Sequence, residues 1–202
     1  MTHSSWQSGN TNLLRTLLWQ SKPEHCVRGC AELGSLGDTV LLKTLVTALR
    51  LLAKRWLYLT EELRVLDATL DSLTKQGARR LIKQFGVGPQ TAATLLTVAG
   101  DNPERLRSEA ALAALCGVNP LPASSGKTLR HRLNRSGDRT ANNALWTIAL
   151  VRMRSEPQTR AYVARKTAEG KSTKEIQRSL KRYIIRELYP LILADLKEAA
   201  YS

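Results

Sequence analysis

Leucines recur along residues 42–73 with a spacing that does not slip. Leu42, Leu45, Leu49, Leu52, Trp56, Leu59, Leu63, Leu66, Leu70 and Leu73 follow one another in alternating steps of three and four. That alternation keeps one side of an α-helix apolar on a 3.5-residue repeat, the register of a coiled coil. Asp38-Thr39 supplies an N-cap and Gly77 interrupts the register, so the spacing predicts a single helix over 38–76. At 1.5 Å per residue its seam spans roughly 50 Å, longer than the rest of a small domain covers. The seam therefore predicts a homo-oligomer; a bundle helix packed on its own domain is the alternative. Residues 1–37 show no such period. Ser, Gly, Asn and Gln are frequent there, only Leu13–Trp19 offers a short amphipathic stretch, and Gly29, Gly34 and Gly37 break the remainder. Poor order is expected for this segment.

Beyond Gly77 the pattern shortens. A helix over Ala78–Phe85, the turn Gly86-Val87-Gly88-Pro89 and a helix over Gln90–Ala99 read as helix-hairpin-helix. Gly86 and Gly88 would let the backbone approach a phosphate, with amides of the second helix donating to its oxygens; Pro89 suits a first helical position. A plain turn between helices is the alternative. A short helix over Ser108–Cys116 then leads into Gly117-Val118-Asn119-Pro120, so residues 78–120 read as a degenerate double hairpin. Further helices are predicted over Arg139–Arg154, Gln158–Ala168 and Thr173–Leu188. The last carries Ile176, Leu180, Tyr183, Ile184 and Leu188 on one face and Lys174, Arg178, Lys181 and Arg182 on the other. No run alternates as a strand does. The expected fold is all-α, in four parts: an N-terminal segment 1–37, a coiled-coil helix 38–76, a compact helical domain 77–190 and a tail 191–202.

Charge changes this picture more than composition does. With 43% hydrophobic and 24% charged residues the 202-residue chain reads as an ordinary folded protein, yet its formal net charge is +14. Residues 127–186 hold 16 basic and 4 acidic side chains, so most of the excess lies in one stretch. Arg outnumbers Lys there, and guanidinium forks match phosphate oxygens, so the partner implied is a polyanion. Cys26, Cys30 and Cys116 are an odd number with no secretory signal ahead of them, which reads as a reducing cytoplasm. His25-Cys26-x-x-x-Cys30 lacks a second ligand pair, so no metal site is assigned. No apolar run is long enough to span a bilayer, and no membrane is expected.

At the head of the basic stretch lies the one segment that suggests chemistry. Pro120 and Pro122 precede Ser124-Ser125-Gly126, and Lys127, Arg130, Arg132, Arg135 and Arg139 follow. A serine on a Gly/Pro loop beside fixed cations could attack a phosphodiester while guanidiniums neutralise its oxygens. The same residues equally suit a basic binding loop whose serines cap a turn. Ser-Gly-Lys-Thr at 125–128 is not a P-loop: that pattern needs glycine five positions before Gly126, where Leu121 stands.

The segment from Gly86 to Arg154, with its P-x-S-S-G-K run at 122–127, and the segment Thr159–Tyr189 resemble the C-terminal transposase domain of the insertion-sequence-110 family. That family is also labelled 116/902 and is related to the Piv invertases. The resemblance covers about residues 40–190, the leucine helix matching the family's coiled-coil linker. It implies an N-terminal RuvC-like domain holding divalent metal through a DEDD carboxylate set, and a C-terminal serine nucleophile. Together these recombine DNA through a phosphoserine, directed by a structured guide RNA. Ser125, immediately before the glycine, matches that nucleophile, with Ser124 the fallback. This chain departs from the pattern in residues 1–37, whose only carboxylates are Glu24 and Glu32. The expectation is a truncated transposase, associated with the bacterial nucleoid, with its DNA-binding and oligomerising parts retained. It has no metal of its own, Mg2+ being expected only with the missing acidic domain, and it is not expected to act alone. The alternative is a non-catalytic nucleic-acid-binding coiled-coil protein, or a dominant-negative partner of a full-length transposase.

Overall fold

The computed structural model describes residues 22–100, 106–122, 131–134 and 136–200. Among them the fold is all-α, interrupted by one two-stranded ribbon. In chain order the elements are α1 (Pro23–Ala31), α2 (Val40–Gly77), a 3-10 turn (Leu81–Lys83), α3 (Pro89–Ala99) and α4 (Glu109–Leu115). The strands β1 (Pro120–Pro122) and β2 (His131–Leu133) follow, then α5 (Arg139–Ser155), α6 (Pro157–Ala168) and α7 (Thr173–Ala200). Contacts divide the chain into two compact units, Met1–Asp67 and Ala68–Ser202.

In the first unit, poor order was the expectation for 1–37, yet residues 23–36 contain a helix and three buried apolar residues, Cys30, Leu33 and Leu36. Pro23 starts α1 with its φ already set for a helix, and Arg28 pairs with Glu24 one turn away at 2.8 Å. Leu33 and Leu36 then bury against Val46 of α2, with Leu49 beside them. The Arg50 Nε donates to the Leu33 carbonyl at 2.7 Å. This segment has no period of its own; tertiary partners order it. Of the predicted cap, Thr39 does the work: its Oγ1 accepts from the Leu42 amide at 3.3 Å. Most of the predicted seam is open: Leu45, Leu52, Trp56, Leu59, Leu63, Leu66 and Leu73 are all exposed.

The second unit is built around α5, which packs on α3, α6 and α7. Its buried face is Ala141, Ala144, Leu145, Ile148 and Ala149; α3 contributes Ala92, Leu95 and Ala99, and α7 contributes Ile176 through Ile192 at helical spacing. Alanines on both α3 and α5 let those helices approach closely, and the branched residues of α7 fill the remaining volume. One buried cation ties α3's approach turn to this core. Arg152 donates from Nε to the Phe85 carbonyl at 2.9 Å and bidentately to Glu187 at 2.7 and 2.8 Å. The Glu187 carboxylate holds the Arg152 guanidinium above its ordinary pKa despite burial.

Three local expectations are corrected here. The predicted helix over 78–85 is only one 3-10 turn. The amides of Arg80 and Leu81 donate to the Asp195 carboxylate at 3.1–3.2 Å instead of to a preceding helical turn. Residues 117–120 do not begin a second hairpin-linked helix: the chain leaves α4 into β1. The last helix continues past Leu188 and Pro190 to Ala200, because Ile192 and Asp195 extend its buried face. That burial outweighs the roughly 3 kcal/mol that an interior proline costs a helix.

Candidate nucleic-acid interface

The ribbon is the feature that periodicity did not foretell. α4 ends in a Schellman motif: Gly117, at φ +65°, donates to the Ala114 carbonyl at 3.0 Å and Val118 to the Ala113 carbonyl at 2.8 Å. The chain then extends into β1, whose Pro120, Leu121 and Pro122 face Leu133, Arg132 and His131 of antiparallel β2. Residues 123–130, between the strands, lie outside the described residues. These include the candidate nucleophile Ser125, its fallback Ser124, and Lys127 and Arg130; Arg135 lies outside them too.

Asparagines lock the base of the ribbon. Asn134 Nδ2 donates to the Ala114 carbonyl at 3.1 Å and to Asn119 Oδ1 at 2.7 Å. Asn142, from the first turn of α5, donates through Nδ2 to the Cys116 and Gly117 carbonyls at 3.0 and 3.1 Å. Gly137 crosses so close that a Cβ there would stand 2.2 Å from the Gly117 nitrogen, so no other residue fits without moving backbone. Asp138 then caps α5, accepting from the Ala141 amide at 2.8 Å and from the Thr140 hydroxyl. The Thr140 hydrogen bond, followed by that amide, holds the Asp138 carboxyl below its ordinary range. Cys116 beneath the ribbon is buried, and burial, then the nearby Asp138 charge, push its thiol up to about 12.

Beside this base runs a groove of about 1450 Å³, walled by residues 117–120 and 134–146 on one side and by α6 and α7 on the other. Eight cations line it: Arg139, Lys166, Lys171, Lys174, Arg178, Lys181, Arg182 and Arg186, against one carboxylate, Glu175. Part of that charge is internally balanced. Arg182 pairs with Glu109, and Lys166 with Glu169 at 2.6 Å. Arg139, Lys171, Lys174 and Arg178 form no ion pair among the described residues. Lys181, half-buried, donates to Asn142 Oδ1 at 2.8 Å and so couples α7 to the base of the ribbon. Burial first, and then the neighbouring Arg178, lower its pKa. A phosphate placed here would reverse that shift, since an anion favours the charged amine.

The sequence-predicted site residues thus part company. Arg139 lines the groove. Arg132 is in β2 by its backbone. Gly86 and Gly88 do not line the groove. Gly86 sits at φ +81° against α5, where a Cβ would come 3.3 Å from the Ile148 carbonyl. Its glycine is explained by packing. Gly88 caps α3, its amide donating to Thr91 Oγ1 at 3.0 Å. Asn119, Asn134, Asn142, Lys166 and Lys171 were not singled out from sequence; the one available signal was Asn142-Asn143 interrupting an apolar helix. Among the described residues no three His, Cys, Asp or Glu side chains gather to hold the Mg2+ that the resemblance implies. The groove's own Glu175 is occupied, accepting from the Ser172 amide at 2.9 Å and hydroxyl at 2.7 Å. No described helix is long and apolar enough to cross a membrane.

Comparison with known proteins brings these features together. A family model described as "Transposase IS116/IS110/IS902 family" matches residues 78–164, a span that includes α3, the ribbon and α5. The chain is 30% identical over 135 residues to the insertion element IS110 uncharacterized 43.6 kDa protein of Streptomyces coelicolor, covering 65% of this chain and 33% of that relative. It is 28% identical over 149 residues to the insertion element IS900 uncharacterized 42 kDa protein of Mycobacterium paratuberculosis, covering 72% and 37%. The chain spans about a third of the length of the curated relatives it matches.

Proposed function

The chain belongs to the IS116/IS110/IS902 transposase family, and on that footing we propose that its basic groove holds the phosphate backbone of DNA while the loop between the strands presents Ser125 to one phosphodiester. The observation that carries this is the wall of eight cations facing one carboxylate, beside the ribbon from which that loop departs. The chemistry assigned to the serine is a transesterification. The Ser125 oxygen bonds to phosphorus, its proton passes to a base, and the bond from phosphorus to the leaving sugar oxygen breaks. That oxygen leaves as a hydroxyl, and a phosphoserine ester remains. Arg139, Arg178 and their neighbours would neutralise the non-bridging oxygens as charge develops. Ser124 is the fallback nucleophile. The open seam of α2 is assigned to a second copy of the chain. A structured RNA is a further polyanion that the groove's charge admits, and Mg2+ is assigned to the acidic domain that the family resemblance implies.

Salt dependence tests the groove. Each phosphate neutralised on duplex DNA contributes a slope of about −0.9 in log K against log salt, so four unpaired cations predict a slope of about −3.6. Reversing Lys174 and Arg178 to Glu should flatten it by about 2. Fluorescence anisotropy with a labelled duplex across a salt series measures both. A slope near zero in the unaltered chain overturns the reading.

A further inference from the structure

Two aromatic rings stand open inside the charged groove. Trp146 lines it with 42% of its surface exposed, and Tyr183 lines it at 53%. Neither is where a core would put it. Trp146 is three and four residues beyond Asn143 and Asn142, on the polar side of α5 that carries those groove-lining asparagines, away from the buried Leu145 and Ile148. Tyr183 shares its side of α7 with Ser179 and Arg186, which also line the groove. Its ring is steadied by an edge contact with Tyr162, centroids 5.9 Å apart at 81°. Among the described residues the guanidiniums placed over rings are Arg55 on Tyr58 and Arg165 on Tyr162, so neither covers Trp146 or Tyr183.

A duplex makes no use of such rings. Its bases are stacked on one another and offer only their edges, while a cationic wall is all that its backbone needs. An unpaired strand offers the opposite: free base faces, which stack on any aromatic ring whatever the base, beside the same phosphates. Cations interleaved with exposed aromatics are the arrangement that binds single strands with little regard to sequence.

We propose that this groove takes an unpaired nucleic-acid segment, with one base stacked on Trp146, a second against Tyr183, and its phosphates along Lys171, Lys174 and Arg178. The inference rests on the polyanion reading of the same groove and narrows it to strands whose bases are free. It places melted or looped nucleic acid, in preference to intact duplex, beside the ribbon.

The test uses the full chain with two probes, an oligothymidylate and a duplex of the same length, both followed by anisotropy. Trp146→Ala should weaken oligothymidylate binding on the order of tenfold and leave duplex binding within about twofold, since the backbone contacts are untouched. Trp146→Phe, which keeps a ring, should recover most of the loss. Tyr183→Ala, at a more exposed site, should show the same selectivity and decides the matter if Trp146→Ala lowers the melting temperature. Equal losses on both probes from a variant that melts normally, or no loss on oligothymidylate, overturn the stacking assignment and leave the polyanion reading standing. Salt-independent or absent binding of both probes by the unaltered chain removes both.

Discussion

Asn142 joins parts of the chain that lie far apart in sequence: its amide nitrogen holds the end of α4, and its carbonyl oxygen takes the Lys181 ammonium from α7. A side chain with both a donor and an acceptor is needed there, and Asn supplies them on one short stem. Cys116, beneath the ribbon, does not compete with the serine proposed as nucleophile. With its thiol pushed up to about 12, Cys116 stays protonated at neutral pH and is no rival nucleophile. The candidate serine gives a direct prediction. With the acidic domain that the resemblance implies supplied in trans and labelled DNA as substrate, the chain should form a covalent protein–DNA adduct visible on a denaturing gel. Ser125→Ala should remove it, a loss of about 10⁴-fold or more, while duplex affinity stays unchanged because the groove's cations carry it. Ser124→Ala should retain most of the adduct. An adduct that survives Ser125→Ala assigns the nucleophile to another residue and returns the loop to a binding role, and no adduct from the unaltered chain favours the non-catalytic reading.

At the scale of elements, the end of α7 is a structural strut. Asp195 is 2% exposed, and its carboxylate accepts the amides of Arg80 and Leu81 together with the Arg80 guanidinium at 2.9 Å. One side chain therefore accepts the donors at the start of the 3-10 turn and fastens the end of α7 to it. Asp195→Ala would leave two backbone donors without their acceptor in a buried place, a destabilisation of about 2–4 kcal/mol. Asp195→Asn, which keeps one oxygen, should lose less. Urea unfolding followed by circular dichroism measures both, and an unchanged midpoint for Asp195→Ala would show the last three turns of α7 to be dispensable. The ribbon is held differently, by asparagines and by the contact of Gly117 with Gly137, so its geometry depends on backbone proximity more than on buried apolar area.

At the scale of the whole molecule, the apolar side of α2 stands open among the described residues. Seven of the seam residues, from Leu45 to Leu73, are exposed, and apolar area of this extent along one helix calls for a partner. Leu52→Asp with Leu59→Asp puts charge into two neighbouring layers, where burial without a counter-charge is costly. Multi-angle light scattering should then report a monomer where the unaltered chain gives an oligomer, with the melting of the C-terminal unit retained. An unchanged molar mass would assign the seam to another occupant. The groove extends past the family match at 78–164: its ribbon side lies inside that span, and Lys171 through Arg186 lie beyond it.

Periodicity alone determined the helical class, the course of α2 and the extents of α5 and α6. These depend on residues three and four apart, and that spacing is written in the chain. The basic excess after Lys127 was equally legible, because charge needs no partner to be read. Tertiary structure alone decided the rest. Residues 23–36 are ordered by Val46, and α7 runs through Pro190 because Ile192 and Asp195 find burial. The first arm of the hairpin shrinks to one turn because a carboxylate 114 residues away takes the Leu81 amide. The groove itself comes from bringing residues 117–120, 134 and 137–146 against 162–186. Long-range hydrogen bonds and close backbone crossings, such as Gly137 on Gly117, leave no local period; they exist only once distant segments meet.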